Sequence, residues 1–367
     1  MDERRRMVLK VLDGTLSVSA AAREFGVSRP TVRDWVNRAK LEGVETMGER
    51  SRRPISVPRE ADPAVVEQVL SLAKEYEDWG ARKIWALMGK HNAPVCERTV
   101  DRILGKHGRR ILPPKKPQEP TIRFEKENPN EQLQVDFKKM GPRQNRFLVL
   151  SVIDDCSRFV LGLQEVPDET LYSCWHVMWN VFGEYGLPQS ILCDNGSCFR
   201  NNATWRWSQF DLRLMLLDVH PAHGRPYHPQ TQRKVERFHE TLEWELGRKL
   251  GKHDELTPLM EAFRARYNWV RPHEAIDLEV PGSVYKPSTR QRPSNMPEPF
   301  FPKGSIIRKV GMDGFISFKG KRHNLGRALI GQPIGLLYDT FESPKVVWGN
   351  FILGRLSDFE TGKHVLS

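Results

Sequence analysis

The sequence lacks several features that would assign it to a secreted, membrane or zinc-ribbon class. Five cysteines in 367 residues, with no CxxC pair, give neither a disulfide framework nor a common zinc module. Cys193 and Cys198 with His220 and His223 are left as an unusual zinc alternative. No run approaches the roughly 18 apolar residues of a membrane helix, and the basic N-terminus has no apolar signal-peptide segment. We therefore expect a cytoplasmic protein with no membrane partner.

The net charge of +11 is distributed unevenly along the chain. Residues 1–130 and 286–327 are basic, whereas residues 131–285 are slightly acidic. Basic flanks suit a polyanion such as DNA, whose phosphates supply most non-specific affinity. The acidic centre suits carboxylates gathered around metal ions. An ordinary basic surface is the plainer interpretation of the same charge.

Residues 8–42 have the pattern of a helix-turn-helix. Ala22 is small where two helices must approach closely, and Gly26, four residues on, suits a tight turn. Ser28 can cap the next helix, and Pro30 fits its first turn. The residues expected to contact DNA from this helix are Arg29, Thr31, Arg33 and Arg38. The alternative is a three-helix module that only packs on its neighbour.

Residues 62–108 predict a second unit of three helices, which resembles another helix-turn-helix. Val100, Ile103 and Leu104 form an apolar stripe at helical spacing on its last helix. Cys96 stands where a capping serine is expected, which weakens the predicted start of that helix. The residues expected to contact DNA are Arg98, Arg102 and Lys106. A purely structural bundle is the alternative.

Changes in composition and periodicity divide this multidomain chain into five predicted segments. Strand-like runs dominate after a proline-rich stretch, and short alternating runs separated by glycines fill the C-terminal part. The segments are a helix-turn-helix domain at 1–50, a second helix-turn-helix-like domain at 51–110, a proline-rich linker at 111–130, an α/β core at 131–290 and a small basic β-barrel at 291–367.

Within the core, the order of strand and helix patterns predicts a mixed α/β layer around a five-stranded sheet. The first three strands follow one another at hairpin distances, so we expect them to be antiparallel. The predicted strands are 132–137, 147–154, 157–164, 189–194 and 212–218, and the predicted helices are 168–186 and 229–251.

Three carboxylates in the core stand out by their placement. Asp136 lies inside the first strand, where a carboxylate is costly unless it is paired or bound to metal. Asp194 ends the fourth strand and is followed by Asn195 and a glycine, a typical position for a ligand that projects into a cleft. Glu236 lies on the long helix, with His239 on the same side three residues later. Hard divalent cations prefer such oxygen ligands, although each residue taken singly also suits a turn, a cap or a solvated helix face.

Four motifs give the chain a resemblance to a known family. They are QVDF (134–137), VIDDCSRFVLG (152–162), CDNGSCF (193–199) and RPYHPQTQRKVERFHETL (225–242). With the N-terminal helix-turn-helix pair and the small C-terminal barrel, they resemble bacterial insertion-sequence transposases of the DDE, retroviral-integrase-like superfamily. The resemblance implies an RNase H-like core in which Asp136, Asp194 and Glu236 bind two Mg²⁺ ions, for which Mn²⁺ can substitute.

The resemblance also implies an activity, partners and further site residues. Such transposases bind terminal inverted repeats, cleave transposon ends and join the freed 3′-hydroxyl to target DNA, as a dimer or higher multimer associated with the bacterial nucleoid. Asn195 is then a supporting residue, which either hydrogen-bonds near the metals or shapes the turn. The further residues expected to contact DNA are His228, Gln230, Arg233, Lys234 and Arg237, with capping or ordinary surface roles as the alternatives.

Arg233 departs from the family pattern, which commonly has glycine at that position. An arginine there can add a phosphate contact, or it can crowd DNA that a glycine would admit. The alternative function is therefore a domesticated DNA-binding regulator with a retained but inactive integrase core. A third hypothesis is an RNase H-type nuclease that acts on RNA–DNA hybrids.

Overall fold

A computed structural model describes residues 3–48, 61–90, 92–111, 125–141, 146–196, 198–199, 207–224, 233–247, 256–339 and 341–360. The chain divides into two compact units, Met1–Ala61 and Asp62–Ser367. The finer predicted boundaries, near residues 50, 110, 130 and 290, remain predictions. No described helix is both long and apolar enough to cross a membrane.

The first unit is a module of three helices, α1 (Glu3–Leu12), α2 (Val18–Glu24) and α3 (Arg29–Glu42). Ser28 Oγ accepts a hydrogen bond from the Thr31 amide and caps α3, and Pro30 occupies its first turn. Gly26 has φ of +63°, a conformation that side-chain-bearing residues rarely adopt. The predicted helices, cap and turn are thus confirmed. The buried side chains of this unit are Met7, Val8, Ala21, Ala22, Val32, Val36, Ala39 and Met47.

A second set of helices opens the larger unit. It consists of α4 (Pro63–Glu75), α5 (Ala81–Leu87) and α6 (Glu97–Lys106), at the predicted positions. Cys96 makes no side-chain cap for α6, as expected. Two contacts tie these helices to the core that follows. Lys90 Nζ pairs with the Asp277 carboxylate at 2.7 Å, and Trp244 Nε1 donates to Asp78 Oδ1 at 2.8 Å.

The core sheet has five strands, β1 (Gln132–Met140), β2 (Phe147–Asp154), β3 (Val160–Val166), β4 (Ser190–Cys193) and β5 (His220–His223). Their order across the sheet is β3-β2-β1-β4-β5. The β1–β2 and β2–β3 pairs are antiparallel, whereas the β1–β4 and β4–β5 pairs are parallel. The predicted mixed sheet, with its three antiparallel strands, is confirmed.

Helices pack on both faces of this sheet. They are α7 (Leu171–Tyr185), α8 (Gln209–Leu216), α9 (Arg233–Gly247) and α10 (Leu256–Trp269), followed by the short α11 (Pro281–Val284). Leu150 and Val152 of β2 pack with α7 and α8, whereas Val149 and Ile153 pack with α9 and α10. Because successive side chains of a strand point to opposite faces, a strand covered on both faces is buried along its whole length, as β2 is.

The predicted strand at 212–218 is wrong, because these residues belong mostly to α8. Ser208 Oγ accepts the Asp211 amide while the Asp211 carboxylate accepts the Ser208 amide, a capping box that starts a helix. Phe210 and Leu214, one helical turn apart, are both buried in the core. The fifth strand is instead His220–His223, which reads HPAH and has no apolar run.

The described C-terminal residues form six short strands. They are β6 (Ile306–Lys309), β7 (Phe315–Phe318), β8 (Lys321–Asn324), β9 (Pro333–Leu337), β10 (Lys345–Trp348) and β11 (Phe351–Arg355). The predicted closed barrel is not confirmed. In the described residues the ladders stay open, as a four-stranded sheet of order β11-β10-β9-β6 and a separate β7-β8 hairpin.

The open sheet is stabilised by packing rather than by closure of the hydrogen-bond ladder. Ile334, Leu336 and Trp348 of the sheet share a hydrophobic cluster with Leu212 and Met215 of α8. Trp348 Nε1 also donates to the Leu212 carbonyl at 3.1 Å. The apolar face that a barrel would enclose is therefore covered by a core helix and the hairpin.

Candidate active site

Asp136 and Asp194 lie on adjacent strands of the core sheet. Val135 of β1 pairs with Cys193 of β4 in parallel register, and Asp136 and Asp194 are the next residue on each chain. Paired positions of neighbouring strands present their side chains on the same face. The sheet register therefore brings two carboxylates that are far apart in sequence to one place, at the C-terminal end of β4.

The loop after β4 holds Asp194 in a fixed conformation. Asp194 Oδ1 accepts a hydrogen bond from the Gly196 amide at 2.8 Å, as in a turn closed by an aspartate side chain. A Cβ on Gly196 would lie 2.8 Å from that same oxygen, so the close turn favours glycine. Asn195 Nδ2 donates to the Gly224 carbonyl at 3.0 Å, which links the loop to the segment after β5. This contact supports the turn-shaping role of Asn195.

Glu236 approaches the two aspartates from α9. The apolar stripe of that helix, predicted from spacing, is buried against the sheet face formed by β1 and β2. Its members are Val235, Phe238, Leu242 and Leu246. Glu236 is exposed beside this stripe, in the first turn of the helix. Packing of α9 thus places a third carboxylate near the same sheet edge.

The raised pKa of Asp136 indicates that its surroundings disfavour the ionised carboxylate. Burial, then the charge of Asp194 and then that of Glu236 together raise this pKa to about 7. Three oxygen donors whose mutual repulsion a cation would relieve are the donor chemistry that hard divalent cations prefer. In the part of the chain that the structure describes, however, no three ligating side chains already form a metal-binding group. The assignment of Asp136, Asp194 and Glu236 as catalytic metal ligands stays a prediction.

His239 and Ser151 extend this site beneath Asp136. His239 Nε2 lies 2.7 Å from Ser151 Oγ, and His239 Nδ1 lies 3.6 Å from Asp136 Oδ2. Burial, and then the charge of Lys138, lower the pKa of His239 to about 4, so the imidazole is neutral. Sequence reasoning located His239 beside Glu236 but missed Ser151, whose only sequence signal is a hydroxyl within an apolar strand.

A second acidic pair, Asp154 and Asp155, lies at the end of β2. Asp154 accepts hydrogen bonds from the Asn130 amide and from the amide and hydroxyl of Ser157, at 2.7–2.8 Å. Asp155 accepts from Gln134 Nε2 and Lys234 Nζ, both at 2.6 Å. These carboxylates organise the turn and anchor the start of α9. Lys234, predicted to contact DNA, is held in this ion pair, and its DNA contact stays a prediction.

Four segments of the chain match known domain families. Residues 3–55 match a helix-turn-helix domain, and residues 31–104 match a homeodomain-like domain. Residues 126–229 and 217–281 each match an integrase core domain, so these two matches together span the whole core sheet and α9. Together, the helix-turn-helix and integrase core matches indicate a transposase or integrase of the DDE superfamily.

The chain is also similar to a viral polyprotein and to solved structures of viral integrases. A Gag-Pro-Pol polyprotein of sheep pulmonary adenomatosis virus is 28% identical over 119 residues, which is 32% of this chain; the match spans only 6% of the polyprotein's length. The catalytic core domain of BIV integrase is 22% identical and covers 42% of this chain and 93% of its own, with a TM-score of 0.35. The HTLV-2 integrase catalytic core domain in complex with magnesium is 14% identical. The match covers 44% of this chain and 99% of that domain, with a TM-score of 0.35. A chain of the simian T-cell lymphotropic virus intasome in complex with PP2A regulatory subunit B56 gamma is 14% identical. The match covers 78% of this chain and 98% of that chain, with a TM-score of 0.40.

The side chains predicted to contact DNA differ in exposure, and some of them are paired within the protein. Arg29 and Arg33 are exposed on α3, and Arg98, Arg102 and Lys106 are exposed on α6. Arg38 pairs with Glu42 at 3.0 Å, and Thr31 Oγ1 lies 2.7 Å from Ser28 Oγ. Arg237 is exposed on α9. His228, Gln230 and the side chain of Arg233 lie outside the described residues.

The zinc alternative finds no support in the geometry. Cys193 Sγ lies 3.5 Å from His223 Nδ1, but His223 Nε2 pairs with Asp211 Oδ1 at 2.9 Å. Burial raises the pKa of the Cys193 thiol well above its ordinary value. The described residues contain no metal-binding group, and all five cysteines are free thiols. Cys193 and His223 act as structural contacts behind the Asp194 loop.

Proposed function

We propose that the protein is a DNA transposase that binds transposon-end DNA and catalyses metal-dependent phosphodiester hydrolysis and strand transfer. One observation carries the proposal: strand pairing places Asp136 and Asp194 on neighbouring strands, and the charges of Asp194 and Glu236 both raise the pKa of Asp136. The presence of helix-turn-helix domains in the same chain supports DNA as the substrate.

The donor set fits two Mg²⁺ ions, with Mn²⁺ as a substitute. Asp136, Asp194 and Glu236 would hold the ions through carboxylate oxygens, and the raised pKa of Asp136 indicates a site that cations would stabilise. When bound, such ions activate the attacking oxygen and stabilise the leaving one. The chain itself supplies the orientation, because the sheet register and the buried stripe of α9 fix where the three carboxylates stand.

The helical parts supply DNA recognition in this proposal. The exposed arginines of α3 suit contacts with base edges and phosphates, as expected of a recognition helix in the major groove. Arg98, Arg102 and Lys106 give α6 a similar basic surface. Because the two ends of an element must be processed together, we expect the protein to work as a dimer or higher multimer on DNA.

The carboxylate assignment is tested by the substitution Asp136→Asn. Loss of one ligand removes several kcal/mol of transition-state stabilisation, so cleavage of end-containing DNA should fall at least about 1000-fold. Binding of the same DNA, measured by electrophoretic mobility shift, should be unchanged. Glu261→Gln, an exposed acid-to-amide change on α10, is the matched control and should cleave normally. Cleavage at the wild-type rate by Asp136→Asn would show that the active-site assignment is wrong.

Arg233 is the observation that favours the alternative, a regulator whose core no longer cleaves. Nicking of a labelled end oligonucleotide by the wild-type protein, with and without Mg²⁺, separates the two functions. A regulator would bind the oligonucleotide and leave it intact under both conditions. An RNA–DNA hybrid in the same assay tests the nuclease hypothesis, which predicts that the hybrid is cut in preference to the duplex.

A further inference from the structure

The loop that follows α4 contacts the last turn of α9. Asp78 Oδ1 accepts a hydrogen bond from Trp244 Nε1 at 2.8 Å. The next residue, Trp79, is only 3% exposed, and the guanidinium of Arg271 lies 5.7 Å from the centre of its ring. A cation at this distance is attracted by an aromatic ring, most strongly by that of tryptophan. The loop is therefore held on the core by a hydrogen bond and a cation–aromatic contact.

Arg271 is held in place by the core itself. Its guanidinium donates to the Glu245 carboxylate, which also accepts from Arg266. Glu245 is buried, and removal of one partner from a buried ion pair is strongly destabilising. Arg271 also lies 5.9 Å from the ring centre of Tyr267, on α10. The cation that Trp79 meets is thus oriented by α9 and α10.

A second attachment lies after α5. Lys90 Nζ is 2.7 Å from Asp277 Oδ2 and 3.6 Å from Glu279 Oε1, and the lysine side chain is mostly covered. Asp277 and Glu279 belong to the segment that follows α10. Because Asp78 and Lys90 contact different parts of the core, the helices α4–α6 are restrained against rotation as well as against displacement.

Helix α9 links these contacts to the candidate active site. Glu236 is in its first turn, whereas Trp244 and Glu245 are in its last. Glu236 and Glu245 are nine residues apart, which is about 13 Å along a helix. One helix therefore carries a proposed metal ligand at one end and the contacts with α4–α6 at the other.

Helix α6 is fixed within the same set of helices. Val100, Ile103 and Leu104 bury its apolar side, and Trp85 Nε1 of α5 donates to the Val95 carbonyl just before it, at 2.9 Å. Its exposed cations are Arg98, Arg102 and Lys106. The contacts of the loop and of the lysine therefore place these cations at a set position relative to α9.

We propose that these contacts form a docking surface, which holds α6 at a fixed distance from Glu236 and thereby sets where DNA bound by α6 is cut. The residues of the docking surface are Asp78, Trp79 and Lys90 on the helices and Trp244, Arg271 and Asp277 on the core. The inference rests on the proposed function and adds to it a determinant of the cut position. A misplacement of about 1 Å can slow a reaction about 100-fold, so DNA presented by loosely attached helices would be cut slowly and at several positions.

Reversal of one charge tests the docking. Lys90→Glu places a carboxylate against those of Asp277 and Glu279, and the double variant Lys90→Glu/Asp277→Lys restores a pair of opposite charges. Lys74→Glu, the same charge change at an exposed residue of α4, is the matched control.

The docking is measured in the full-length protein without DNA. A fluorescent dye is attached to the exposed thiol of Cys96, after the two half-buried thiols are replaced by Cys156→Ser and Cys198→Ser. Docked helices tumble with the core, so Lys90→Glu should shorten the rotational correlation time of the dye. The double variant should return it toward the wild-type value, and Lys74→Glu should leave it unchanged.

The cut position tests the consequence for DNA. The proteins without dye are incubated with end-containing DNA and Mg²⁺, and each cut is mapped to the nucleotide. Wild type and Lys74→Glu should cut at one position. Lys90→Glu should bind this DNA as Lys74→Glu does, but cut at the wild-type position about 10- to 100-fold more slowly, with further cuts at neighbouring positions. Lys90→Glu/Asp277→Lys should restore the single cut.

Three results would overturn the inference in distinguishable ways. An unchanged correlation time in Lys90→Glu refutes the docking. A shortened correlation time with an unchanged cut position and rate refutes the role of the docking surface in placing the cut. Wild-type protein that leaves the DNA intact refutes the proposed function and this role with it, while the correlation time still decides the docking. If circular dichroism shows that Lys90→Glu is unfolded, Trp244→Phe takes its place, because it keeps an aromatic ring, removes the donor to Asp78 and should shorten the correlation time in the same direction.

Discussion

The core sheet contains two acidic pairs that differ in how their charge is balanced. Asp154 and Asp155 are buried, and each accepts three hydrogen bonds from the surrounding chain. In the described residues, Asp136 and Asp194 accept fewer hydrogen bonds, and the charge of Asp194 raises the pKa of Asp136. Burial raises the pKa of both Asp154 and Asp136, and the larger shift is at Asp136, whose pKa rises to about 7. This difference separates a pair that the protein itself stabilises by hydrogen bonds from the pair that we propose to bind cations.

The hydrogen bonds of the first pair also explain why proximity in sequence is a poor guide to role. Asp154 and Asp155 are adjacent and lie in a family motif. Their hydrogen-bond partners nevertheless belong to the same chain, namely Asn130, Ser157 and Lys234. Asp136 and Asp194 are brought together only by strand pairing. The pair that we propose to be functional is therefore the one that strand pairing assembles from residues far apart in the sequence.

Replacement of Asp155 should produce the largest effect on stability. In Asp155→Asn the ammonium of Lys234 loses the carboxylate that lies 2.6 Å from it while it remains mostly covered, which should cost about 4 kcal/mol. Urea-induced unfolding of the variant measures this loss. The double variant Asp155→Asn/Lys234→Met should recover part of it, because the buried charge of Lys234 is then removed as well.

The folded fraction of Asp155→Asn should still bind Mn²⁺ with an affinity close to that of the wild type. This outcome would keep Asp155 among the residues that hold the fold. If Asp155→Asn unfolds in urea as the wild type does but no longer binds Mn²⁺, Asp155 belongs to the candidate active site. The two acidic pairs would then not differ in role.

How far the sequence could predict these features depends on the range of the interaction. The cap at Ser28, the end of α7 at Gly186 and the buried stripe of α9 follow from local spacing, and the structure confirms them. The apolar run at 212–218 does not distinguish a buried strand from a buried helix, and the capping box that starts α8 was overlooked. The HPAH strand is stabilised by its neighbour β4 rather than by its own composition.

The candidate site shows the same limit. Asp136, Asp194 and Glu236 are visible in the sequence because each lies in a motif, and His239 is visible from its helical spacing. Ser151 is not, because its role depends on the β1–β2 register and on a helix that follows much later in the chain. Closure of the C-terminal strands into a barrel likewise depends on pairing between strands, which composition does not specify.

The uncompensated charge at Asp136 should appear as a dependence of stability on pH. Its folded-state pKa is about 7, above the ordinary 3.8, so the folded protein holds this proton more tightly than the unfolded chain does. Without divalent cations, stability from this group is complete below about pH 4 and is lost as the pH rises through about 7. Asp136→Asn removes the charge, so the variant should exceed the wild type by up to about 3 kcal/mol near pH 8 and match it near pH 4.

Chemical unfolding in EDTA at several pH values measures this difference. Addition of Mg²⁺ near pH 8 should stabilise the wild type and leave Asp136→Asn unchanged, since the cation replaces the missing compensation. A difference between the two proteins that does not vary with pH would mean that Asp136 is balanced within the protein, as Asp154 and Asp155 are.

The smallest expected effect on stability follows from the loss of one hydrogen-bond donor to Asp154, the hydroxyl of Ser157. Ser157 is fully buried and donates from its hydroxyl to Asp154 Oδ2 at 2.7 Å, while the same oxygen accepts the Ser157 amide at 2.8 Å. Ser157→Ala removes the hydroxyl and leaves the amide, so it should cost about 2 kcal/mol, the value of a hydrogen bond to a charged group. Burial raises the pKa of Asp154 while the Ser157 hydrogen bonds lower it, so the variant should raise that pKa further. The loss should therefore be larger near pH 8 than near pH 4, and equal losses at both would show that the hydroxyl contributes packing and not charge compensation.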